Sequence, residues 1–161
     1  MFDRRILLTS VAGLFGLATS RWLRATPANA AEKFEIEKTE AEWRAQLTAQ
    51  QYEILRNHGT ERPGSSPLLN EHRKGVFACA GCDLPLFASD TKFESGTGWP
   101  SFFRPLDGSV GTTEDRSLFM TRTEVHCSNC GGHLGHVFDD GPRPTGQRFC
   151  MNGAAMGFKP D

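Results

Sequence analysis

Four of the five cysteines in this chain stand as two Cys-x-x-Cys pairs, Cys79/Cys82 and Cys127/Cys130, and the fifth, Cys150, stands alone. Two such turns can present four thiolates to one tetrahedral ion, and zinc takes that all-sulfur shell when it holds a fold together rather than reacting. The spacing predicts that the two turns sit on neighbouring strands and that one Zn2+ per chain staples residue 79 to residue 130. The alternative is a pair of disulfides, because an exported protein meets an oxidising compartment. Bridges within each pair would close loops too short to stabilise much. Bridges between the pairs would still leave Cys150 odd, so the spacing favours zinc. The fifth thiol is then free for chemistry. It lies in Gln147-Arg-Phe-Cys-Met-Asn152, with Arg148 and Asn152 on either side, and a nearby cation raises the reactive thiolate fraction of a thiol.

A chain of 161 residues has room for one globular domain. Its 17 glycines and 9 prolines fall mostly after residue 59, between short apolar runs, which is the texture of a mainly β fold with many tight turns. Before that point the pattern is helical. Thr39-x-x-Glu42 and Thr48-x-x-Gln51 are capping boxes, so two short helices are expected, with Trp43 and Leu47 on the first and Tyr52, Ile54 and Leu55 on the second. Gly59 is placed to end the second. Residues 61–75 are polar and rich in turn residues and predict a long surface arm. Strands are expected over 76–79, 84–87, 117–125, 136–138 and 147–151, with Leu106-Asp-Gly-Ser109 as a hairpin turn.

The first 30 residues read as a targeting segment rather than as part of the fold. Arg4-Arg5 opens a charged region, Ile6 to Thr19 is an uncharged apolar stretch, and Ala28-Asn-Ala30 offers the small-x-small site of a signal peptidase. Fourteen residues fall short of the ~20 that span a bilayer, so cleavage between Ala30 and Ala31 is expected rather than a permanent membrane anchor. The domain would then be residues 31–161, in the periplasm. The paired arginines also fit the twin-arginine route, although Asp3 and Leu8 depart from its usual pattern. Cleavage would change the formal charge from −1 to −4, leaving 14 basic against 18 acidic residues. That balance has no footprint for nucleic acid.

The spaced motifs together resemble one family. Thr39-Glu-Ala-Glu-Trp43, Tyr52-Glu-Ile-Leu-Arg56, the four paired cysteines, Lys92-Phe-Glu-Ser-Gly96, Gly98-Trp-Pro-Ser-Phe102, Gly132-His-Leu-Gly-His-Val-Phe138, Asp140-Gly-Pro142 and Arg148-Phe-Cys-Met-Asn152 occur in the order of the peptide methionine-R-sulfoxide reductases. The resemblance covers nearly all of the chain after residue 30. It implies two small antiparallel sheets with short helices outside, and reduction of the R epimer of methionine sulfoxide in oxidised proteins or peptides. It also implies that Trp99 walls the substrate methyl group, and Phe138, at the end of the matched Gly132–Phe138 motif, is a further substrate-binding candidate.

The reaction can be read from residue types as well. A sulfoxide sulfur is electrophilic only when its oxygen is protonated or strongly hydrogen-bonded, so the site needs a thiolate and a proton donor. Cys150 supplies the thiolate, and Arg148 and Asn152 are candidates to stabilise charge and position. His133 and His136 are the candidate donors, and Asp140 is available to raise the basicity of one of them or to orient substrate. Residues three apart on a strand face opposite sides, so both histidines line one pocket only if Gly135 kinks the chain; otherwise His136 is the better candidate. For His58, His72 and His126 only surface or packing roles are expected, with His126 also placed as a neighbour of the metal turn.

Many members of the family resembled carry a second, resolving cysteine where this chain has Thr97. With four cysteines committed to metal, an external thiol donor such as a thioredoxin-like protein is the economical route to regenerate Cys150. Two rival functions have some support. A zinc-knuckle binding module explains the four paired cysteines but not Cys150, Trp99 or the histidines. A cysteine hydrolase explains the thiol and the imidazoles but requires an acyl-enzyme instead of a sulfenic acid. A monomer is expected.

Overall fold

The computed structural model describes residues 33–117 and 120–161. The expected signal peptide, 1–30, lies outside the described residues. Both capping boxes form, on α1 (Glu40–Gln46) and α2 (Ala49–Asn57). The Thr39 and Thr48 hydroxyls accept the amides of Glu42 and Gln51, whose side chains accept the threonine amides in return. The end of α2 differs from expectation. His58, not Gly59, takes the left-handed conformation (φ 54°). The Gly59 amide donates to the Glu53 carbonyl at 3.0 Å, and a Cβ on Gly59 would meet that oxygen at 2.9 Å. Glycine is therefore needed there for close approach rather than for a left-handed turn.

The strands are β1 (Gly75–Cys79), β2 (Pro85–Ala88), β3 (Lys92–Phe93), β4 (Ser101–Phe102), β5 (Val110–Asp115), β6 (Arg122–Cys127), β7 (His133–Phe138), β8 (Arg148–Met151) and β9 (Met156–Pro160). They form two antiparallel sheets, ordered β2-β1-β9 and β3-β4-β8-β7-β6-β5. The fold is mainly β with two short helices, as expected. The expected strand over 117–125 instead starts at Arg122 and runs to Cys127. The Asp107-Gly108 turn closes with Ser109 donating to the Leu106 carbonyl. It is not a hairpin, because β4 and β5, which flank it, lie at different places in the sheet.

The core lies where the two sheets face each other and is built on phenylalanines. Phe87 stacks on Phe102 at 4.4 Å between centroids, and Phe77 meets Phe102 edge-on at 4.9 Å. Val125, Leu134, Phe149 and Met151 complete it with Trp43, Ile54 and Leu55 from the helices. Burying each such side chain contributes about 1.5–3 kcal/mol.

The surface arm after α2 is tied down at its root. Glu61 is buried, and its carboxylate accepts the amides of Gly153 at 2.6 Å and Ala154 at 2.9 Å. Its own amide donates to Asn152 Oδ1 at 2.9 Å. A charged group inside is tolerated only with such partners, so the arm is locked to the turn that follows β8.

Candidate active site

Strand register puts the candidate residues on one face. Cys150 of β8 lies opposite Ser101 of β4 on one side and His136 of β7 on the other. His136 in turn faces Glu124 of β6, and Arg122, two residues from Glu124, faces Asp115 of β5. Side chains two apart on a strand share a face, so Arg148 and Phe138, which are paired with each other, join the row. The intervening Phe149 and Met151 point into the core.

His133 reaches this face because β7 is bulged. Val125 pairs with Gly135 and His126 with His133, which leaves Leu134 as an extra residue. The His133 and His136 rings come within 5.4 Å of each other. Gly135 also lets the strands close up, since a Cβ there would lie 2.2 Å from the Cys150 carbonyl oxygen.

Each histidine leans on a carboxylate. Asp115 Oδ2 is 2.8 Å from His136 Nε2 and also accepts from Arg122 at 2.6 Å. The Ser117 amide, its hydroxyl, His136 and Arg122 together hold the Asp115 carboxyl well below the usual range. Burial keeps the His136 imidazole below its ordinary value despite Asp115, so it is neutral at pH 7 with its other nitrogen unprotonated. Glu124 Oε1 is shared by His133 Nδ1 at 2.7 Å and His58 Nδ1 at 2.9 Å. Burial pushes the Glu124 carboxyl up, but the two imidazole hydrogen bonds outweigh it and hold it low.

Of these groups His136 and Arg122 line a cavity of about 180 Å³ with Thr60, Trp99, Gly135, Phe138, Cys150 and Asn152, whereas His133, His58, Asp115 and Glu124 line an adjoining one that shares His136, Arg122 and Thr60. The Trp99 indole is pinned by its Nε1 donating to the Glu61 carbonyl at 3.2 Å. Asn152 is almost fully spent on structure, donating to the Leu134 carbonyl at 3.1 Å while accepting from the Glu61 amide. Asp140 is not on either histidine. It forms a two-pronged pair with Arg148 at 2.8 and 2.9 Å, and the guanidinium lies 4.4 Å from the Phe138 ring centre. That pair raises the Arg148 pKa, and the neighbouring Cys150 side chain adds to the effect. The Cys150 sulfur is half-buried and 3.7 Å from Thr97 Oγ1.

The four paired cysteines converge away from this cavity. They do not meet on neighbouring strands as expected. Cys79 ends β1 in the small sheet, Cys127 ends β6 in the large one, and the cluster joins the two sheets. All five thiols are free, so the disulfide alternative is not what the structure has. The Cys79 and Cys130 sulfurs are 3.8 Å apart, and those of Cys82 and Cys127 are 3.4 Å apart. A tetrahedral ion with bonds of about 2.3 Å sets its ligand sulfurs about 3.8 Å from one another, so these four residues fit a metal ion. Leu55 of α2 covers the cluster, its methyls within 3.6 Å of a Cβ built on Gly81 and 2.9 Å of one built on Gly132. Of the remaining histidines, His72 is exposed and His126 is buried against the edge of Phe34 at 5.6 Å.

Sequence reasoning passed over Asp115, Glu124, Glu61, Arg122 and His58. The usable signal was the register itself: once β5 and β6 are paired, Asp115 and Glu124 fall on the face that carries His136.

Residues 47–160 match the SelR domain. The chain is 57% identical over 127 residues to a peptide methionine sulfoxide reductase MsrB of Agrobacterium fabrum, covering 78% of this chain and 94% of that protein. It is 56% identical over 125 residues to the MsrB of Methanosarcina mazei, covering 77% and 89%. It is 52% identical over 127 residues to the MsrB of Leptospira interrogans, covering 78% and 97%. With the SelR match over most of its length and these relatives, the chain belongs to the SelR-domain family, alongside the MsrB peptide methionine sulfoxide reductases.

Proposed function

We propose that the chain is a peptide-methionine (R)-S-oxide reductase in which Cys150 attacks the sulfoxide sulfur of an oxidised methionine residue. The observation that carries this is the Asp115–His136 pair set directly across from Cys150 on one sheet face, at the wall of a cavity closed by Trp99. Neutral His136 takes the thiol proton, and Asp115 stabilises the imidazolium that forms. The imidazolium gives the proton to the sulfoxide oxygen as the thiolate attacks. One sulfoxide and one thiol become one thioether and one sulfenic acid: the oxygen moves to Cys150, whose sulfur is oxidised by two electrons while the substrate sulfur is reduced by two. Two external thiols then convert the sulfenic acid to thiol and water and leave as a disulfide.

In this reading His133, held by Glu124, is a second donor facing the same side. Arg148 and Asn152 hold charge and geometry around the sulfur, with Asp140 fixing Arg148. Trp99 and Phe138 receive the thioether methyl. Zinc on Cys79, Cys82, Cys127 and Cys130 supplies a cross-link between the sheets and no reacting group. The reductant is a thioredoxin-like protein, and the enzyme works as a monomer without nucleic acid or a lasting membrane anchor.

A mixed-epimer methionine sulfoxide peptide with a thiol reductant tests the function. The R form is consumed and the S form remains. Equal consumption, or none, rejects the reading. Asp115→Asn keeps the hydrogen-bond shape but removes the charge, so kcat falls roughly tenfold to a hundredfold while the thermal midpoint stays near that of the parent. A parent-like kcat removes Asp115 from the mechanism.

The exported form is part of the same proposal, supported by Arg4-Arg5, the apolar run and Ala28-Asn-Ala30. N-terminal sequencing of the periplasmic protein from its native host then begins at Ala31. A cytosolic protein starting at Met1 rejects it.

A further inference from the structure

The Cys150 sulfur is one end of a row of hydroxyls. Thr97 Oγ1 is 3.7 Å from it, Ser95 Oγ is 2.9 Å from Thr97 Oγ1, Ser101 Oγ is 2.7 Å from Ser95, and Ser101 donates to the Trp99 carbonyl at 3.1 Å. Each hydroxyl has one proton to give, whereas a carbonyl only accepts. Ser101 spends its proton on Trp99 and so accepts from Ser95. Ser95 has then spent its own, and it accepts from Thr97 and from the Thr97 amide at 3.4 Å. Thr97 has nothing left to give, so the thiol donates to it. At rest every proton in the row points away from Cys150.

A thiolate reverses the requirement, because it needs donors. Two rotations provide one. Ser95 turns its proton from Ser101 to Thr97, and Thr97 turns its proton to the sulfur, while Ser101 stays on the Trp99 carbonyl. Ser95 is the switching point because it has an acceptor on each side.

We propose that this row admits the thiolate at Cys150, with Thr97 as a catalytic residue that accepts from the thiol and donates to the thiolate, and with Ser95 and Ser101 as positioning residues. The proposal rests on Cys150 being the attacking group. The other charged or titratable groups around the sulfur are Arg148 on β8, His136 opposite on β7 and Arg122 of β6 across the cavity. Asp115 and Glu124 act through the histidines.

The test is the rate of Cys150 alkylation by iodoacetamide against pH, in the full metal-loaded chain, followed by the mass of the peptide carrying Cys150. Hydrogen bonds to a charged form favour that form. Thr97→Val therefore raises the midpoint by about one pH unit, which is about tenfold slower alkylation on the acid side, and Thr97→Ser restores the parent profile. Ser101→Ala does the opposite: Ser95 is left with Thr97 as its acceptor, Thr97 stays turned to the sulfur, and the midpoint falls. Opposite signs from two hydroxyl deletions are not what a packing defect gives. An unchanged midpoint in Thr97→Val, failure of Thr97→Ser to restore it, or a midpoint in Ser101→Ala that is unchanged or raised overturns the proposal. No sulfoxide is used, so the two readings fail separately. A flat alkylation result with R-sulfoxide reduction intact removes the row alone, and the expected alkylation pattern without sulfoxide reduction removes the reductase reading alone.

Discussion

Cys150→Ser abolishes methionine formation even in a single turnover with excess enzyme, by roughly 10⁴-fold or more, the scale on which removing a nucleophile acts. The parent without reductant converts one equivalent of sulfoxide per chain and stops. Its Cys150 is then a sulfenic acid that a dimedone-type probe traps, because none of the other four thiols is within reach while they are committed to metal. Mass spectrometry of the peptide carrying Cys150 reads this directly, and it separates a sulfenic acid from the acyl adduct that a hydrolase would leave. Thr97→Cys adds a thiol where Oγ1 now stands 3.7 Å from the Cys150 sulfur, so the trapped species is replaced by a 97–150 disulfide. A disulfide between Cys150 and one of the paired cysteines in the parent, with metal released, would overturn the external-reductant route.

The second large effect is on stability. Replacing any one of Cys79, Cys82, Cys127 and Cys130 with serine lowers zinc from one per chain toward zero and removes most of the folding free energy, which for a domain totals about 5–15 kcal/mol. Thr113→Ala, at an exposed position on β5, shifts the thermal midpoint little. The contrast is large because the cluster is the end of β1 joined to the end of β6, with Leu55 of α2 packed over it. Elemental analysis beside thermal melts of the parent, the four variants and the chelated parent decides the matter. Retained stability without metal would make the cysteines ordinary core residues.

Much of this was legible from residues whose local signals agree with the final fold. The capping boxes at Thr39 and Thr48 work within a single turn, and Cys150 stood out by arithmetic. The losses were non-local. Val110–Asp115 reads as polar because three of its residues are exposed at the sheet edge, which hid the strand and with it Asp115. Glu61 looked like part of a turn-rich arm because its partners, Gly153 and Ala154, lie about ninety residues away. The cysteine pairs met as their spacing required, but spacing says nothing about which sheet each strand joins. The kink at Gly135 was a condition that only the register of β6 and β7 could settle.

The extra residue in β7 makes the site a matter of counting. If β7 paired in strict alternation at its present length, every named side chain of the site would still be in the chain, yet His133 and His136, three residues apart, would face opposite sides. A site built this way depends on the register of β7 against β6 as much as on which side chains β7 carries. Its reading frame of strand pairing is as much inherited chemistry as the thiol.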